Sequence, residues 1–342
     1  MRFSKMAHQM EPYRTHQGEA SIWLNANESP LDIPPEWKKE WLQAALDIPF
    51  HRYPEIDGIS LRSKLAQHLG VPPHCIILGN GSDALLSEVI RLFEGDHVLT
   101  FPPTFSMYDF YARSQGVENR AFPLQEHYQL PLRNGELPGY TEWDSCRVAF
   151  VCSPNNPTGN VQPPEAIQEL LHKHIPVVVD EAYVEFSTQR ILGLQQRFPN
   201  LILLRTFSKA FGLGGLRVGY AIVSEEVASF WNRITSPFSV NALSLFFAQK
   251  MLENAPRVQQ NVQRIITQRD RLVKRFQEHA APSQANFVLF SLDAFSFLRE
   301  RGIVVRAFDG SLSGHFRVTV GTEQEMDVFS DALHRFIAQG GT

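Results

Sequence analysis

The sequence predicts an α/β fold, in which a mostly parallel sheet is sandwiched by helices and is followed by a smaller α+β C-terminal domain. Between residues 75 and 223, short apolar runs rich in β-branched residues alternate with helical patterns, an order that is typical of a parallel sheet covered by helices. After Pro237 the pattern changes to long helical stretches and then to short strands. The 342 residues also exceed the roughly 250 to 300 at which one hydrophobic core stops growing, which favours two domains.

The elements of the first part follow from hydrophobic periodicity. A helix is expected at 82–93, where Leu85, Leu86, Val89 and Ile90 recur at helical spacing and Ser82 is placed to cap the first turn. A second helix is expected from Pro164 to residue 174. The predicted strands are 75–78, 97–101, 147–152, 175–180, 201–206 and 217–223.

The C-terminal part is predicted to contain helices at 241–253, 257–280 and 323–338 and strands at 286–290, 302–306 and 315–320. The first 30 residues contain no long periodic element and are interpreted as an arm that lies on another surface. We therefore expect an arm at 1–30, a large domain at 31–236 and a small domain at 237–342.

Composition narrows the function classes. Thirty-two lysines and arginines against 36 acidic residues give a net charge of -4, so no general attraction to nucleic acid or to an anionic membrane is expected. No apolar run approaches the ~18 residues of a membrane-spanning helix, and residues 1–10 do not resemble a signal peptide. Three cysteines without metal-ligand spacing favour a reducing cytoplasm, and we expect no metal site.

Four polar clusters follow the predicted strands at their carboxyl ends. They are residues 79–83, residues 153–159, residues 180–183 and the pair Ser208 and Lys209. Ligands of open α/β sheets bind at that edge, so the topology alone brings these segments to one crevice.

Individual residues of these clusters suggest specific chemistry. Residues 79–83 lead into a helix whose free amides favour an anion, although an ordinary strand-to-helix turn explains them about equally well. Lys209 follows an apolar strand into a glycine-rich loop and is a candidate for a Schiff-base lysine. Asp180 ends a buried strand, where it serves either as the partner of a buried group or as a helix cap.

Eight short stretches, in order along nearly the whole chain, carry a resemblance to a known family. The sequence resembles the fold-type I pyridoxal-phosphate-dependent transferases and, among them, the histidinol-phosphate aminotransferase family. The stretches are 12–13, 23–30, 52–54, 103–108, 153–159, 180–183, 206–217 and 317–322.

The resemblance implies pyridoxal 5'-phosphate as the cofactor and assigns roles around its ring. Lys209 would bind the cofactor's aldehyde and later move a proton between substrate and cofactor. Asp180 would pair with the ring nitrogen. Asn156 and Tyr183 would donate to the phenolic oxygen of the ring, and Tyr108 would stack on the ring face.

The resemblance further implies which residues bind the anionic groups. The cofactor phosphate would be bound by Gly81, Ser82, Asp83, Ser208 and Arg217 and, from the neighbouring subunit of a homodimer, by Tyr53.

For the substrates, Arg317 would bind the carboxylate of the amino donor, with Tyr13, Asn27 and Arg306 also at the substrate site. Three departures from the family pattern are Ala84, where many relatives carry glutamate, Phe105, where tyrosine is usual, and the short segment between Arg306 and Arg317.

The implied activity is transamination of histidinol phosphate and 2-oxoglutarate to imidazole acetol phosphate and glutamate, in histidine biosynthesis. Alternatives are a threonine-phosphate decarboxylase of cobalamin synthesis, which shares the cofactor apparatus, and an aromatic or broad-specificity aminotransferase. A regulatory protein with an aminotransferase-like domain would need a DNA-binding domain, and fewer than about 30 residues precede the arm motif.

Overall fold

The computed structural model describes residues 1–12 and 20–341. Tyr13, one of the predicted substrate-binding residues, lies outside the described residues. Within the described part the strands are β1 (Ile22–Trp23), β2 (Ile76–Asn80), β3 (His97–Thr100), β4 (Glu118–Ala121), β5 (Cys146–Cys152), β6 (Val177–Asp180), β7 (Leu201–Thr206), β8 (Val218–Ile222), β9 (Phe287–Phe290), β10 (Ile303–Val304), β11 (Arg306–Ala307) and β12 (Phe316–Thr319). The α-helices are α1 (Lys5–Gln9), α2 (Pro35–Ala45), α3 (Ile59–Leu69), α4 (Gly81–Leu92), α5 (Met107–Ser114), α6 (Pro164–Leu171), α7 (Glu225–Trp231), α8 (Ala242–Glu253), α9 (Ala255–Arg275), α10 (Phe295–Arg299) and α11 (Glu323–Ala338).

The larger part of the molecule is built around a seven-stranded sheet, whose strands lie in the order β2-β8-β7-β6-β5-β3-β4. The strands from β7 to β4 are parallel to one another, and β8 runs antiparallel to both of its neighbours. The predicted mostly parallel sheet is therefore confirmed. Its central strands are buried along their whole length, as expected for a sheet covered on both faces.

The two faces of this sheet bury separate cores because successive side chains of a strand point to opposite sides. Val178 of β6 packs in one core with Leu85 of α4 and Trp231 of α7. Val177 packs in the other core with Ile167 of α6 and Leu65 of α3. Helices thus cover both faces, and the loops at the carboxyl ends of β5, β6 and β7 emerge at one edge.

The C-terminal part contains a three-stranded antiparallel sheet in the order β11-β12-β9. The aromatic rings of Phe290, Phe316 and Phe329 pack against one another between this sheet and α11. Near the beginning of the chain, β1 pairs in parallel with β10, so the end of the predicted arm lies on the C-terminal part. The boundary between large and small domains stays a prediction.

Two sequence-based predictions about elements are wrong. The single strand expected at 302–306 is divided into β10 and β11, which belong to different sheets. Ser82 does not cap α4, because the helix begins at Gly81, and the capping position is occupied by Asn80, which makes no side-chain capping bond. Among the helices of the described ranges, none is long and apolar enough to cross a bilayer.

Candidate active site

A cleft of about 400 Å³ lies at the carboxyl edge of the large sheet, between that edge and the strands β11 and β12. The topology therefore brings the polar clusters after β5, β6 and β7 to one place. Eleven of the predicted site residues line it: Asn27, Ser82, Asp83, Asn156, Asp180, Tyr183, Ser208, Lys209, Arg217, Arg306 and Arg317. Gly81, Tyr108 and Tyr53 do not line it in this chain.

Lys209 lies in the turn that follows β7. Its Nζ donates a hydrogen bond to the carbonyl oxygen of Ala26 at 3.1 Å and lies 5.9 Å from the centre of the Tyr183 ring. Burial, with the positive charge of Arg317 as the second cause, lowers the pKa of Lys209 from 10.5 to about 8. Near neutral pH, a much larger fraction of Lys209 is therefore in the neutral amine form, which is the nucleophilic one, than of an ordinary lysine.

Asp180 ends β6 with its carboxylate buried below the cleft. Its Oδ2 accepts a hydrogen bond from the Tyr108 hydroxyl at 2.8 Å, and its Oδ1 accepts one from the backbone N–H of Ala182 at 3.0 Å. Burial raises the pKa of Asp180 to about 6, while these two hydrogen bonds act in the opposite direction. The two hydrogen bonds fix the orientation of the Asp180 carboxylate, which is therefore placed to pair with a cationic group in the cleft.

Tyr108 lies beneath the cleft and is completely buried. Its ring is stacked on Phe150 with the centroids 5.0 Å apart, and its hydroxyl is used by Asp180. This placement contradicts the predicted stacking of Tyr108 on a ligand ring in the cleft. Phe105, three residues earlier, lines the cleft instead and contacts Tyr108 edge-on. In the sequence alone, Phe105 is recognisable only as a departure from the family pattern.

Tyr183 and Asn27 are joined by a hydrogen bond in which Asn27 Nδ2 donates to the Tyr183 hydroxyl at 2.9 Å. Asn27 has a φ of 53°, a left-handed conformation that asparagine tolerates better than most residues. The backbone N–H of Asn27 donates to Thr319 Oγ1 on β12, and its carbonyl accepts from Asn286 Nδ2. Three hydrogen bonds thus fix Asn27 at the cleft wall, where it orients the Tyr183 hydroxyl.

An anion-binding cradle lies where α4 begins. Arg217 donates from Nη1 to Ser208 Oγ at 3.3 Å and from Nη2 to Asp83 Oδ2 at 2.9 Å. Gly81 has a φ of +75°, and a Cβ there would lie 2.6 Å from Arg217 Nη2, so glycine leaves the space that the guanidinium occupies. The guanidinium, two serine hydroxyls and the free amides of α4 fit a phosphate group.

Two arginines enter the cleft from the C-terminal sheet. Arg306 of β11 is paired with Arg317 of β12, so their side chains leave the same face of this sheet. Arg317 donates from Nη1 to Asn156 Oδ1 and from Nη2 to the carbonyl oxygen of Asn25 at 2.6 Å. Two neighbouring guanidinium groups provide a second place for an anion, separate from the cradle at Arg217.

One further group lies behind the cleft and was not expected from the sequence. Arg205 of β7 donates from Nε to Glu181 Oε2 at 2.8 Å, and both side chains are buried on the face of the sheet opposite Asp180. Glu185 and Tyr220 also lie beside this guanidinium. The two residues are separated by 24 positions, so no local spacing indicates that they meet.

Tyr53 lies on the surface, where the residue is 81% exposed and its ring is stacked on Phe238 with the centroids 4.7 Å apart. It makes no contribution to the cleft of its own chain.

Comparison with known proteins gives consistent results. Residues 19–333 match the family of class I and II aminotransferases. The histidinol-phosphate aminotransferase of Thermococcus kodakarensis is 44% identical over 326 residues, covering 95% of this chain and 96% of that protein. The histidinol-phosphate aminotransferase of Thermococcus gammatolerans is 43% identical over 330 residues and covers 96% of each chain. The crystal structure of histidinol-phosphate aminotransferase from Sinorhizobium meliloti in complex with pyridoxal-5'-phosphate is similar with a TM-score of 0.84, at 24% identity, and covers 99% of this chain and 98% of that one.

Proposed function

We propose a function for this chain from its family, since it belongs to the class I and II aminotransferases and, within them, to the histidinol-phosphate aminotransferases. The proposed reaction transfers the amino group of histidinol phosphate to 2-oxoglutarate. The products are imidazole acetol phosphate and glutamate, and the reaction belongs to histidine biosynthesis. The observation that carries the proposal is one cleft in which Lys209 with a lowered pKa, a buried Asp180 and two separate anion sites face one another.

Pyridoxal 5'-phosphate is the cofactor of this family, and the residues of the cleft fit it. The cradle formed by Gly81, Ser82, Ser208 and Arg217 suits the phosphate, since a Cβ at Gly81 would fill the space beside the guanidinium. When bound, the cofactor supplies an electron-withdrawing ring that stabilises negative charge at the substrate carbon. We assign Asp180 to the ring nitrogen, Tyr183 and Asn156 to the phenolic oxygen and Phe105 to the ring face.

Lys209 is assigned as the catalytic lysine. Its amine is partly neutral at physiological pH because burial and Arg317 lower its pKa, so it can attack a carbonyl carbon and later accept a proton. Tyr183 lies next to it and has its hydroxyl oriented by Asn27. The hydrogen bond of Lys209 to the carbonyl oxygen of Ala26 and its contact with the Tyr183 ring hold the amine beside one wall of the cleft.

Arg317 and Arg306 are assigned to the substrate anions. Glutamate presents an α-carboxylate, whereas histidinol phosphate has no carboxylate and carries a phosphate ester on the neighbouring carbon. A planar guanidinium can form paired hydrogen bonds with either group. The same two arginines would also accept threonine phosphate, and the decarboxylase alternative is therefore an outcome of the test below.

We further propose that the enzyme is a cytoplasmic homodimer with Tyr53 acting at the partner's cofactor phosphate. Six large apolar side chains between residues 42 and 59 are exposed, which is a surface that a second copy would cover: Leu42, Leu46, Phe50, Tyr53, Ile56 and Ile59. Three free cysteines, Cys75, Cys146 and Cys152, are buried and agree with a reducing compartment.

The experiment is a coupled assay of glutamate formation from 2-oxoglutarate with histidinol phosphate as donor, run beside phenylalanine and threonine phosphate. The proposal expects histidinol phosphate to be the preferred donor by kcat/KM and expects no carbon dioxide from threonine phosphate. Borohydride reduction followed by peptide mapping should place the pyridoxyl group on Lys209. A pyridoxyl group on Lys38 or Lys173, or preference for another donor, would contradict the assignment.

A further inference from the structure

The packing of Tyr108 fixes the direction in which its hydroxyl points. The side chain is completely buried, with one ring face stacked on Phe150 at an interplanar angle of 5° and with Phe105 against its edge. The hydroxyl has Asp180 Oδ2 as its acceptor at 2.8 Å. Because the ring is held on two sides, its phenolic oxygen stays beside the carboxylate.

The surroundings of Asp180 explain what this donor does. Besides Tyr108, the backbone N–H of Ala182 stabilises the negative charge, whereas burial and the nearby carboxylates of Asp83 and Glu181 disfavour it. The other titratable neighbours are the Cys152 thiol at the end of β5 and the Tyr183 hydroxyl, which are both neutral because burial raises their pKa values. Tyr108 is thus the side chain that donates a hydrogen bond to this buried carboxylate.

We propose that Tyr108 is a positioning residue that holds the Asp180 carboxylate charged and correctly directed toward the ring nitrogen of the cofactor. This inference rests on the proposed function, because it takes Asp180 as the partner of that nitrogen. A phenol that donates a hydrogen bond to a carboxylate stabilises the ionised form more than the protonated form, so loss of the phenol shifts the carboxyl group toward the protonated form. A protonated Asp180 cannot form the ion pair with a protonated pyridine ring.

The test compares two cofactors on the full-length protein stripped of its cofactor. One is pyridoxal 5'-phosphate and the other is its 1-deaza analogue, in which a C–H group replaces the ring nitrogen. The ratio of their dissociation constants reports the contribution of the nitrogen, since the phosphate and aldehyde contacts are common to both. In Tyr108→Phe we expect this ratio to fall roughly tenfold or more at pH 7, the size expected for one lost hydrogen bond to a charged group.

The pH dependence separates positioning from a general structural effect. The variant should differ most from the wild type between pH 6 and 7.5 and should approach it above about pH 8, where the carboxyl group ionises even without the phenol. The ring nitrogen of the free cofactor titrates identically in both measurements, so its contribution cancels when the two proteins are compared. Tyr140→Phe is the matched control, because it also removes a buried tyrosine hydroxyl, one bonded to His97 away from the cleft.

A reference variant completes the design. Asp180→Asn should abolish the advantage of the natural cofactor over the analogue, and adding Tyr108→Phe to it should change nothing further. The inference is overturned if Tyr108→Phe weakens both cofactors equally at every pH, or if it leaves both affinities unchanged. If the wild type itself shows no preference for the natural cofactor, the role of Asp180 in the proposed function fails instead.

Discussion

The guanidinium of Arg317 donates a hydrogen bond to the side-chain oxygen of Asn156 and so links β12 of the C-terminal sheet to the loop that follows β5. A second bond, to the carbonyl oxygen of Asn25 at 2.6 Å, fixes its direction. The same cation is the second cause of the lowered pKa of Lys209. The proposed function therefore gives one arginine two roles, binding substrate anions and lowering the pKa of the Lys209 amine, and the two roles are separable by experiment.

The first prediction concerns the anion-binding role. Replacing Arg317 with alanine should impair the half-reactions with glutamate and with histidinol phosphate, because each loses a charge-assisted pair worth roughly 2 to 5 kcal/mol. Arg317→Lys should recover only part of the loss, since a point charge cannot reproduce the planar fork. Single-turnover changes in the cofactor spectrum measure each half-reaction. Intact half-reactions in Arg317→Ala would make Arg306 the better candidate.

The second prediction concerns the pKa of Lys209. The rate at which the cofactor-free protein captures pyridoxal phosphate should rise with pH and reach half its maximum near pH 8, because the neutral amine reacts. Arg317→Gln should move that midpoint upward, since it removes a positive charge that disfavours protonation. Arg306→Gln is the control, because Arg306 is not among the main causes of the shift. An unshifted midpoint in Arg317→Gln would contradict the assigned coupling.

The third prediction concerns the dimer. Mixing Lys209→Ala subunits with Tyr53→Phe subunits should produce heterodimers in which one site carries both defects and the other carries neither. Activity should then exceed that of either homodimer. Mixtures of Lys209→Ala with Lys209→Ala, treated identically, control for the mixing procedure. Sedimentation that shows an active monomer, or mixtures without recovery, would exclude a contribution of Tyr53 in trans.

The fourth prediction concerns the buried pair behind the cleft. Arg205→Met should lower Tm strongly, because removal of one partner of a buried ion pair typically costs about 3 to 5 kcal/mol. Burial raises the pKa of Glu185 to about 7, and Arg205 acts against that rise. Without Arg205 the Glu185 carboxyl group binds its proton more tightly in the folded state than in the unfolded state, so stability should decrease further as pH rises. Thermal unfolding at pH 5.5 and pH 8.5 measures this; an equal loss of Tm at both values would contradict the electrostatic reason.

The sequence was sufficient to predict the sheet and the location of the cleft, because buried parallel strands form continuous apolar runs and their ends converge by topology. The strand 201–206 is predicted with its observed limits, and Lys209 and Asp180 lie in the expected cleft. These signals depend on local pattern, and local pattern is what a single sequence contains.

Three features could not be predicted, because each depends on contacts between distant parts of the chain and not on local pattern. Phe105 and Tyr108 belong to one aromatic stretch, and which of them faces the cleft depends on where α5 begins against the core. The division of the strand at 302–306 depends on β1 pairing with β10 from the far end of the chain. The Glu181 and Arg205 contact depends on the register of β6 against β7. Each is a long-range relationship that periodicity does not record.

The proposed transamination of histidinol phosphate is tested most directly by a single-turnover reaction of the enzyme with histidinol phosphate in the absence of an oxo acid. We expect that the cofactor absorbance changes in the wild type, that added 2-oxoglutarate restores it with one equivalent of glutamate formed, and that Lys209→Ala shows neither change. Threonine phosphate should release no carbon dioxide in the same cuvette. Release of carbon dioxide from threonine phosphate, with histidinol phosphate left unchanged, would contradict the proposed transamination and identify the enzyme as a decarboxylase.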